Sequence, residues 1–173
     1  SNDQAIGGPL ISASSGLWGQ HSVPHDAHII LIGTIRLINR SMSPLVIDGV
    51  SEWEPDHLHL AEAYYARFTR WPGGTGGWFK QYDSVRQFDN AGPNRPWTYM
   101  QPLLGATIGP NRGAGYYLAL GFQATGAAPT GEIRGIILTY HTLGGKVYRL
   151  RVPTQVSFCS GEENAASCIA LHR

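Results

Sequence analysis

The sequence contains few charged residues and very little lysine. Charged residues make up 14% of its 173 residues, whereas roughly 25% is typical of soluble domains. Thirteen basic and twelve acidic residues leave a net charge of +1, and lysine occurs only at positions 80 and 146. Binding to a nucleic-acid backbone requires clustered positive charge, and the sequence has no run of Lys or Arg. We therefore expect no nucleic-acid partner.

Long apolar runs are also missing. The longest candidate runs from Ile29 to Ile38 and contains Arg36, whereas a membrane-spanning helix needs about 20 apolar residues. The sequence therefore predicts no transmembrane segment. We interpret the opening Ser-Asn as a remnant of tag cleavage, so an export signal or lipid anchor that preceded it would have been removed.

Only two cysteines are present, Cys159 and Cys168, nine positions apart. The intervening "SGEENAAS" has the composition of a turn, and the flanking residues could pair as strands. We expect a disulfide, which would stabilise the fold by about 2.5 to 3 kcal/mol in the chain-entropy treatment; the alternative is two unrelated thiols. A disulfide implies an oxidising compartment, so we predict a secreted or extracytoplasmic protein of the cell envelope.

Glycine and proline, by contrast, are abundant. The 22 glycines and 11 prolines favour many turns and short strands over long solvent-facing helices, which need Lys and Glu on their outer faces. The length suits one domain, which we assign to residues 27–173. Residues 1–26 lack periodicity, and we expect them to form a flexible or loosely packed N-terminal segment.

Several stretches show the apolar pattern of β-strands. "HIILIGTIRLIN", from His28, is apolar on both faces up to Arg36 and predicts a central strand. "LVIDGVSEW", from Leu45, predicts a second strand, and the following "EPDH" predicts a hairpin turn. Residues 57–68 fit either a helix or a strand; we favour the strand, in which Glu62 is the one exception to apolar alternation.

The last third of the sequence has the clearest strand pattern. "GYYLALGFQAT" predicts one strand, and "IRGIILTYHTLGGKVYRLRVP" predicts a hairpin closed by "LGG". One face of the first hairpin strand is expected to carry Ile133, Ile137, Thr139 and His141. Over about residues 115–153 the sequence resembles exported bacterial β-sandwich domains of unknown function, in which an "LxLGxxxTG" strand precedes an "RGxxLTYxxxGxxYR" hairpin. The resemblance implies a β-sandwich and export, and that family offers no catalytic residues to map.

Together these patterns predict an all-β fold. About seven to nine strands with regular turn signals indicate a single antiparallel β-sandwich of immunoglobulin-like or cupredoxin-like build. An irregular N-terminal tail precedes it, and a long aromatic, glycine-rich loop interrupts it at residues 70–101. A loop of this length is uncommon in a compact domain and is usually functional or contains short elements.

The histidines form two clusters that could bind a metal. His21, His25 and His28 precede the first predicted strand, while His57 and His59 are expected on one face of a strand, roughly 6 to 7 Å apart. If the N-terminal segment packed across that strand, His25 or His28 could add a third imidazole to a zinc or copper site. The alternative is solvent-facing or hydrogen-bonded histidine. A blue-copper site is excluded, because neither cysteine is followed by a methionine.

Aromatic residues crowd the long loop. Flat rings beside Asp and Asn side chains are the usual means of binding a sugar or another amphipathic ligand. The alternative is that the rings cover one open end of the sandwich. The candidate ligand-binding residues are Trp71, Trp78, Phe79, Tyr82, Trp97 and Tyr99.

The sequence offers little for catalysis. It contains no G-x-S-x-G elbow, H-E-x-x-H, P-loop or dinucleotide fingerprint. Glu52 and Glu54 could do acid–base work on a glycoside, although carboxylates beside a turn are more often solvated. The favoured function is therefore a non-catalytic binding module that contacts a glycan or protein partner through the aromatic loop. A histidine-based metal-binding protein is the alternative, and a glycan-active hydrolase the third choice.

Overall fold

The structure is a computed structural model, and it consists almost entirely of β-strands. It describes residues 5–14, 20–22, 29–67, 76–79, 84–85, 100–111, 115–125 and 130–159. Within these ranges the strands form two sheets. No helix in them is long and apolar enough to cross a lipid bilayer.

The first sheet is built around the C-terminal hairpin. Its strands are β1 (Ala5–Ile6), β3 (Gln20–Ser22), β6 (Leu45–Asp56), β10 (Thr107–Ile108), β12 (Thr130–Thr142) and β13 (Val147–Cys159). Their order is β1-β13-β12-β6-β10, and β3 also pairs with β13. The pairs among β13, β12, β6 and β10 are antiparallel, whereas β1 and β3 run parallel to β13.

The second sheet is antiparallel and is centred on β11. Its strands are β2 (Leu10–Ser14), β4 (Ile29–Ile32), β5 (Ile35–Asn39), β7 (Leu58–Arg67), β8 (Gly76–Phe79), β9 (Gln101–Pro102) and β11 (Tyr116–Ala124). β11 pairs with β7 on one side and with β4 and β5 on the other. β8 lies outside β4, β2 outside β5, and β9 outside β7. The predicted all-β antiparallel sandwich is confirmed.

The main core lies between the two sheets, and β11 contributes to it from alternate positions. Leu118, Leu120 and Phe122 are fully buried there. The other face of the same strand is buried too, because Tyr117 and Ala119 pack in a second apolar cluster on the outside of the second sheet. These are the two faces that the alternation of "YYLALGF" predicts.

Part of the long loop covers that second cluster. Val85 and Met100, two of the described residues between β8 and β9, are 2% and 4% exposed within that cluster. The backbone N–H of Val85 donates to Glu62 Oε2 at 2.8 Å. Residue 121 is glycine because a Cβ there would lie 2.8 Å from Ile29 Cδ1 and 2.9 Å from Val85 Cγ1.

The strand favoured for residues 57–68 is present as β7. A β-bulge within it reverses which alternate side chains face the main core. The register with β11 shifts between Gly121 and Phe122, which leaves Ala61 as the extra residue. Beyond the bulge Ala63 and Tyr65 pack on the main core. Glu62 therefore lies on the opposite face from the core, which explains why it breaks the apolar alternation.

A second bulge corrects the face that the sequence predicts for β12. The register with β13 shifts between Ile133 and Gly135. Ile133 consequently shares the buried face with Ile136, Leu138 and Tyr140, and it does not face the same side as Ile137. A Cβ at Gly135 would collide with the backbone carbonyl of Val152; the strands approach too closely there for a side chain.

The predicted hairpin at "EPDH" is instead a crossing between sheets. β6 belongs to the first sheet and β7 to the second. The chain turns at His57, which has a φ of 52°, after Glu54 with a φ of 47°. Here one residue joins two strands that belong to different sheets. The composition of the turn does not distinguish such a corner from a hairpin within one sheet.

The described parts of the N-terminal segment, residues 5–14 and 20–22, pair with strands of both sheets. The segment pairs with β13 through β1, crosses to the second sheet to pair with β5 through β2, and returns to β13 through β3. Leu10, in β2, is 1% exposed in the main core. These three short strands pair with strands far along the chain, and no local periodicity in the sequence signals that pairing.

Candidate functional site

The two described candidate metal ligands do not share a strand face. His57 lies at the corner before β7, and its Nδ1 is 2.9 Å from Asp56 Oδ1. His59 lies in β7, and its Nδ1 is buried with no hydrogen-bond partner among the described residues. His25 and His28 lie outside the described residues. In the described ranges no three His, Cys, Asp or Glu side chains form a group that could hold a metal.

The predicted aromatic contact surface falls mainly outside the described residues. Trp71, Tyr82, Trp97 and Tyr99 are not described. For the other two rings of the set, the backbone lies in β8, where residue 78 pairs with Ile30 and residue 79 with Ile29.

The candidate disulfide and the paired carboxylates are placed as follows. Cys159 is the last residue of β13, and Cys168 lies outside the described residues. Glu52 Oε1 accepts a hydrogen bond from the backbone N–H of Leu60 at 3.1 Å. Glu54 Oε2 is 2.8 Å from Arg134 Nε. Both carboxylates of the hydrolase alternative therefore have partners within the fold.

The described feature best suited to binding is the outer edge of β13. β12 covers the inner side of this strand, whereas β1 pairs only at Tyr148 and Arg149, and β3 only from Ser157 to Cys159. Between them, no described residue pairs with the outer side of residues 150–156. We call these seven residues the open edge. Unpaired backbone N–H and C=O groups on such an edge are ready to accept another strand.

The point at which the N-terminal segment leaves β13 is held by specific contacts. Gly7, just after β1, has a φ of 90°. At Gly8 a Cβ would collide with the hydroxyl of Tyr140 and would lie 2.6 Å from Tyr148 Cδ1. The backbone N–H of Leu10 then donates to Tyr140 Oη at 3.2 Å. Only a glycine permits this close passage, so the chain departs from β13 at a defined residue.

Tyr140 is the centre of this anchoring group. It is fully buried, and its ring stacks on Tyr148 with centroids 5.5 Å apart. Burial raises the pKa of the Tyr140 phenol, and the hydrogen bond from Leu10 opposes that shift. The Nζ atom of Lys146 lies 5.0 Å from the centroid of the Tyr148 ring and makes a cation–π contact with it.

A cleft of about 330 Å³ lies between the open edge and β2. Apolar side chains from both sheets line it, together with exposed arginines. These residues are Leu10, Ile11, Leu150, Arg40, Arg149 and Arg151. The cleft exists because β1 and β2 belong to different sheets, so the segment between them leaves space beside β13.

A second cavity of about 730 Å³ adjoins the cleft and shares Ile11 and Arg40 with it. Its wall is held by Asn39, which is 1% exposed. The Asn39 amide donates to the carbonyls of Ser43 at 2.8 Å and Ile108 at 2.9 Å. The second of these bonds ties the end of β5 to β10 in the first sheet, so Asn39 links the two sheets beside this cavity.

Sequence analysis missed the arginines beside the open edge. The available signal is "YRLRVP", in which Arg149 and Arg151 alternate with apolar residues and Pro153 follows. Charged side chains and proline on a strand are typical of a sheet edge. Without knowledge of the strand order, the same pattern fits any half-buried strand.

Comparison with known proteins identifies no family. No protein-family model matches the sequence, and no curated protein does. Among solved structures, the chain is similar to the ASH/PapD-like domain of human CEP192 (PapD-like domain 7), with 11% sequence identity and a TM-score of 0.40. That alignment covers 90% of this chain and 87% of the human domain.

Proposed function

We propose that the protein is a non-catalytic interaction module that binds a short extended segment of a protein partner at the open edge of β13. The observation that carries the proposal is the absence of any described backbone neighbour along residues 150–156, while both ends of the same edge carry strands. In strand addition, main-chain hydrogen bonds supply affinity and the neighbouring side chains supply selectivity.

The geometry limits the size and direction of the bound segment. Seven residues of a strand span about 23 Å, and β1 and β3 occupy the positions just beyond each end. The guest is therefore a short strand that enters between them. We expect it to run parallel to β13, because both strands already on this edge are parallel to it.

A buried threonine hydroxyl without a described hydrogen-bond partner also supports binding at the open edge. Thr154 lies in the middle of the open edge and is 7% exposed, and its Oγ1 has no hydrogen-bond partner among the described residues. Buried hydroxyls are normally hydrogen-bonded. A strand added beside β13 would bring backbone donors and acceptors to this position.

Amide hydrogen exchange provides the test. Seven-residue peptides of alternating valine and aspartate, acetylated and amidated at their ends, would be added to the full-length protein. We expect the amides of residues 150–156 that point away from β12 to exchange rapidly in the free protein and slowly with peptide. A peptide N-methylated at alternate residues is the control, because it cannot complete the ladder. Equal protection by both peptides, or none by either, would refute strand addition.

We also propose that the protein is exported and that Cys159 is disulfide-bonded to Cys168. The composition of the residues between them, and the position of Cys159 at the end of β13, support this. An unreduced proteolytic digest should contain the two cysteine peptides as one linked species. Recovery of both peptides as free thiols under non-reducing conditions would exclude the disulfide and remove the argument for an oxidising compartment.

A metal site that includes His59 is the second candidate function. The supporting observation is the buried, unpartnered His59 Nδ1, because a metal ligand commonly leaves one imidazole nitrogen without a protein partner until the ion binds. Zinc and copper would be titrated by calorimetry into the protein and into His59→Gln. His141→Gln is the matched control, since His141 Nδ1 is already 2.7 Å from Asp48. Equal binding by His59→Gln and the unmodified protein would exclude this site.

Glycan binding by the aromatic residues of the long loop remains a separate proposal. Loss of capture on a glycan array by Trp97→Ala, with stability unchanged, would support it. A large loss of stability would instead assign the ring to the cover over the second sheet.

A further inference from the structure

We propose that one end of the first sheet binds the surface of an anionic lipid bilayer, into which exposed apolar side chains on its connections insert. This inference goes beyond strand addition at the open edge and concerns different residues. We call this surface the apolar end, and it comprises Met42, Leu104, Leu143 and Val147.

The apolar end contains every large apolar side chain that is exposed among the described residues. Met42 is 91% exposed, Leu143 73%, Leu104 61% and Val147 38%. Exposed apolar side chains that are scattered singly over a surface are normal and need no explanation. Their confinement to one part of the protein is instead typical of a contact surface.

Strand register places two of these residues at the start of β6. Leu45, the first residue of β6, pairs with Thr142 of β12 and with Ile108 of β10. Leu143 directly follows Thr142, and Met42 lies three positions before Leu45. The β5–β6 connection and the β12–β13 hairpin turn therefore lie side by side at one end of the sheet.

The other two residues flank the same end. Val147 is the first paired residue of β13 and lies opposite His141 of β12. The backbone N–H of Gly105, which follows Leu104, donates to the carbonyl of Ile47 in β6 at 2.8 Å. Three interstrand spacings, about 14 Å, separate β10 from β13. The four side chains thus belong to one compact patch.

Hydrogen bonds close the connections that carry these side chains. Around Met42, the Ser41 hydroxyl donates to the carbonyl of Ser43 at 2.7 Å. In the hairpin turn, the backbone N–H of Gly145 donates to the carbonyl of Thr142 at 2.8 Å. The apolar side chains are therefore held outward, and little conformational entropy is lost when a partner covers them.

The charge beside the patch is positive. The connections at residues 40–44, 103–106 and 142–146 contain Arg40 and Lys146, both exposed, and no acidic residue. Cations of this kind attract the anionic headgroups of a bilayer. The long stems of Lys and Arg also let the charge stay at the headgroups while apolar neighbours go deeper.

Acidic side chains of the first sheet are neutralised or distant. Asp48, near the start of β6, lies 2.7 Å from Nδ1 of His141. Glu54, Asp56 and Glu132 lie at the opposite end of the sheet, where Glu132 pairs with Asp56. The ends of β6 are about 35 Å apart. An anionic surface can therefore approach the apolar end without meeting these carboxylates.

The shape of the patch favours a bilayer over a folded protein. Met42 and Leu143 stand out from separate connections, and a protein partner would need a matching pocket for each. Lipid chains instead rearrange around any protruding group. Peripheral proteins bind membranes by this combination, in which apolar side chains enter the boundary between headgroups and acyl chains and cations contact the headgroups.

Vesicle flotation provides the test. The full-length protein would be mixed with vesicles of phosphatidylcholine alone, or of phosphatidylcholine with phosphatidylglycerol. We expect binding to the second kind, and at least about tenfold weaker binding to the first, because two cations near an anionic surface contribute about fivefold each. Sodium chloride should weaken the binding, since it screens exposed charges.

Variants locate the contact. Leu143→Asn should weaken binding to the anionic vesicles about tenfold, and Leu143→Met, which keeps an apolar side chain, should bind like the unmodified protein. Lys146→Gln should weaken it about fivefold. Arg134→Gln is the matched control, because it removes the same charge at the opposite end of the sheet, beside Glu54. Thermal unfolding of each variant would confirm that the fold is intact.

Three results would overturn the proposal. Absence of binding to the anionic vesicles would assign the exposed side chains to a contact with another protein. Unchanged binding of Leu143→Asn would show that this end does not insert. Equal weakening by Arg134→Gln and Lys146→Gln would show a diffuse charge effect. None of these results bears on strand addition, which is measured by hydrogen exchange at residues 150–156.

Discussion

The backbone N–H of Leu10 donates a hydrogen bond to the hydroxyl of Tyr140, 130 residues away, at 3.2 Å. The bond joins the edge strand of the second sheet to the middle of the first, across the main core. It also marks the residue at which the N-terminal segment has left β13. The open edge begins beside this contact, so the position of the proposed binding surface depends on it.

Replacement of Tyr140 by Phe should destabilise the protein by about 1 to 3 kcal/mol, because the Leu10 N–H would remain buried without an acceptor. Urea unfolding followed by tryptophan fluorescence would measure the change. Tyr148→Phe is the control, since no hydrogen bond to the Tyr148 hydroxyl is found among the described residues. Equal losses in the two variants would contradict the role of the Leu10 bond.

The stability at alkaline pH should depend on the same phenol. Because burial raises the pKa of Tyr140 in the folded protein, the unfolded chain ionises first, near pH 10. This contribution is fully present below pH 10 and is lost as pH rises through the folded-state pKa. The difference in unfolding free energy between the protein and Tyr140→Phe should therefore shrink above pH 10. A difference that stays constant from pH 8 to pH 11 would contradict this.

Gly8→Ala should destabilise the protein by about 1 to 3 kcal/mol, because the new methyl group overlaps the packed rings of Tyr140 and Tyr148. Gly144→Ala provides the comparison, since its nearest contact would be Thr142 Oγ1 at 3.8 Å. Thermal unfolding would measure both. Similar melting temperatures for the two variants would show that the passage at Gly8 is not tight.

Asn39→Ala should cost about 3 kcal/mol or more. The buried amide donates to the carbonyls of Ser43 and Ile108, and its Oδ1 accepts from the Ser41 N–H at 2.9 Å. Removal of the amide leaves these backbone groups without that partner. Ser41→Ala, which keeps the Asn39 bonds to both carbonyls, should cost clearly less. Chemical denaturation that ranks the two variants in the opposite order would refute this account.

The sequence pattern was sufficient to predict both faces of a strand where its side chains alternate regularly between two apolar clusters. β11 is the clearest case: the alternation of Tyr117 and Ala119 with Leu118 and Leu120 matches the two clusters. β7 and β12 were found as strands, but their faces were assigned wrongly beyond one point. A single extra residue in a strand inverts every later side chain, and the bulges near Ala61 and Gly135 depend on the neighbouring strand.

The open edge could not be predicted from the sequence, for a different reason. The sequence shows Arg149 and Arg151 as charged residues on a predicted strand. Whether that strand has an edge depends on whether other strands pair with both of its sides. That property depends on β1 and β3, which lie more than 120 positions away in the sequence. The metal and aromatic predictions rest on residues that are largely outside the described ranges, and they stay predictions.

The amino-acid sequence alone determined that this protein is an all-β sandwich and where most of its strands lie, because side-chain alternation and turn chemistry act between near neighbours. Tertiary structure decided which strand has an edge that no described residue pairs with, which arginines lie on that strand and where the chain passes from one sheet to the other. Those properties arise from backbone hydrogen bonds between segments far apart in the chain. Almost every residue type can form such bonds, so the local sequence does not indicate which segments pair.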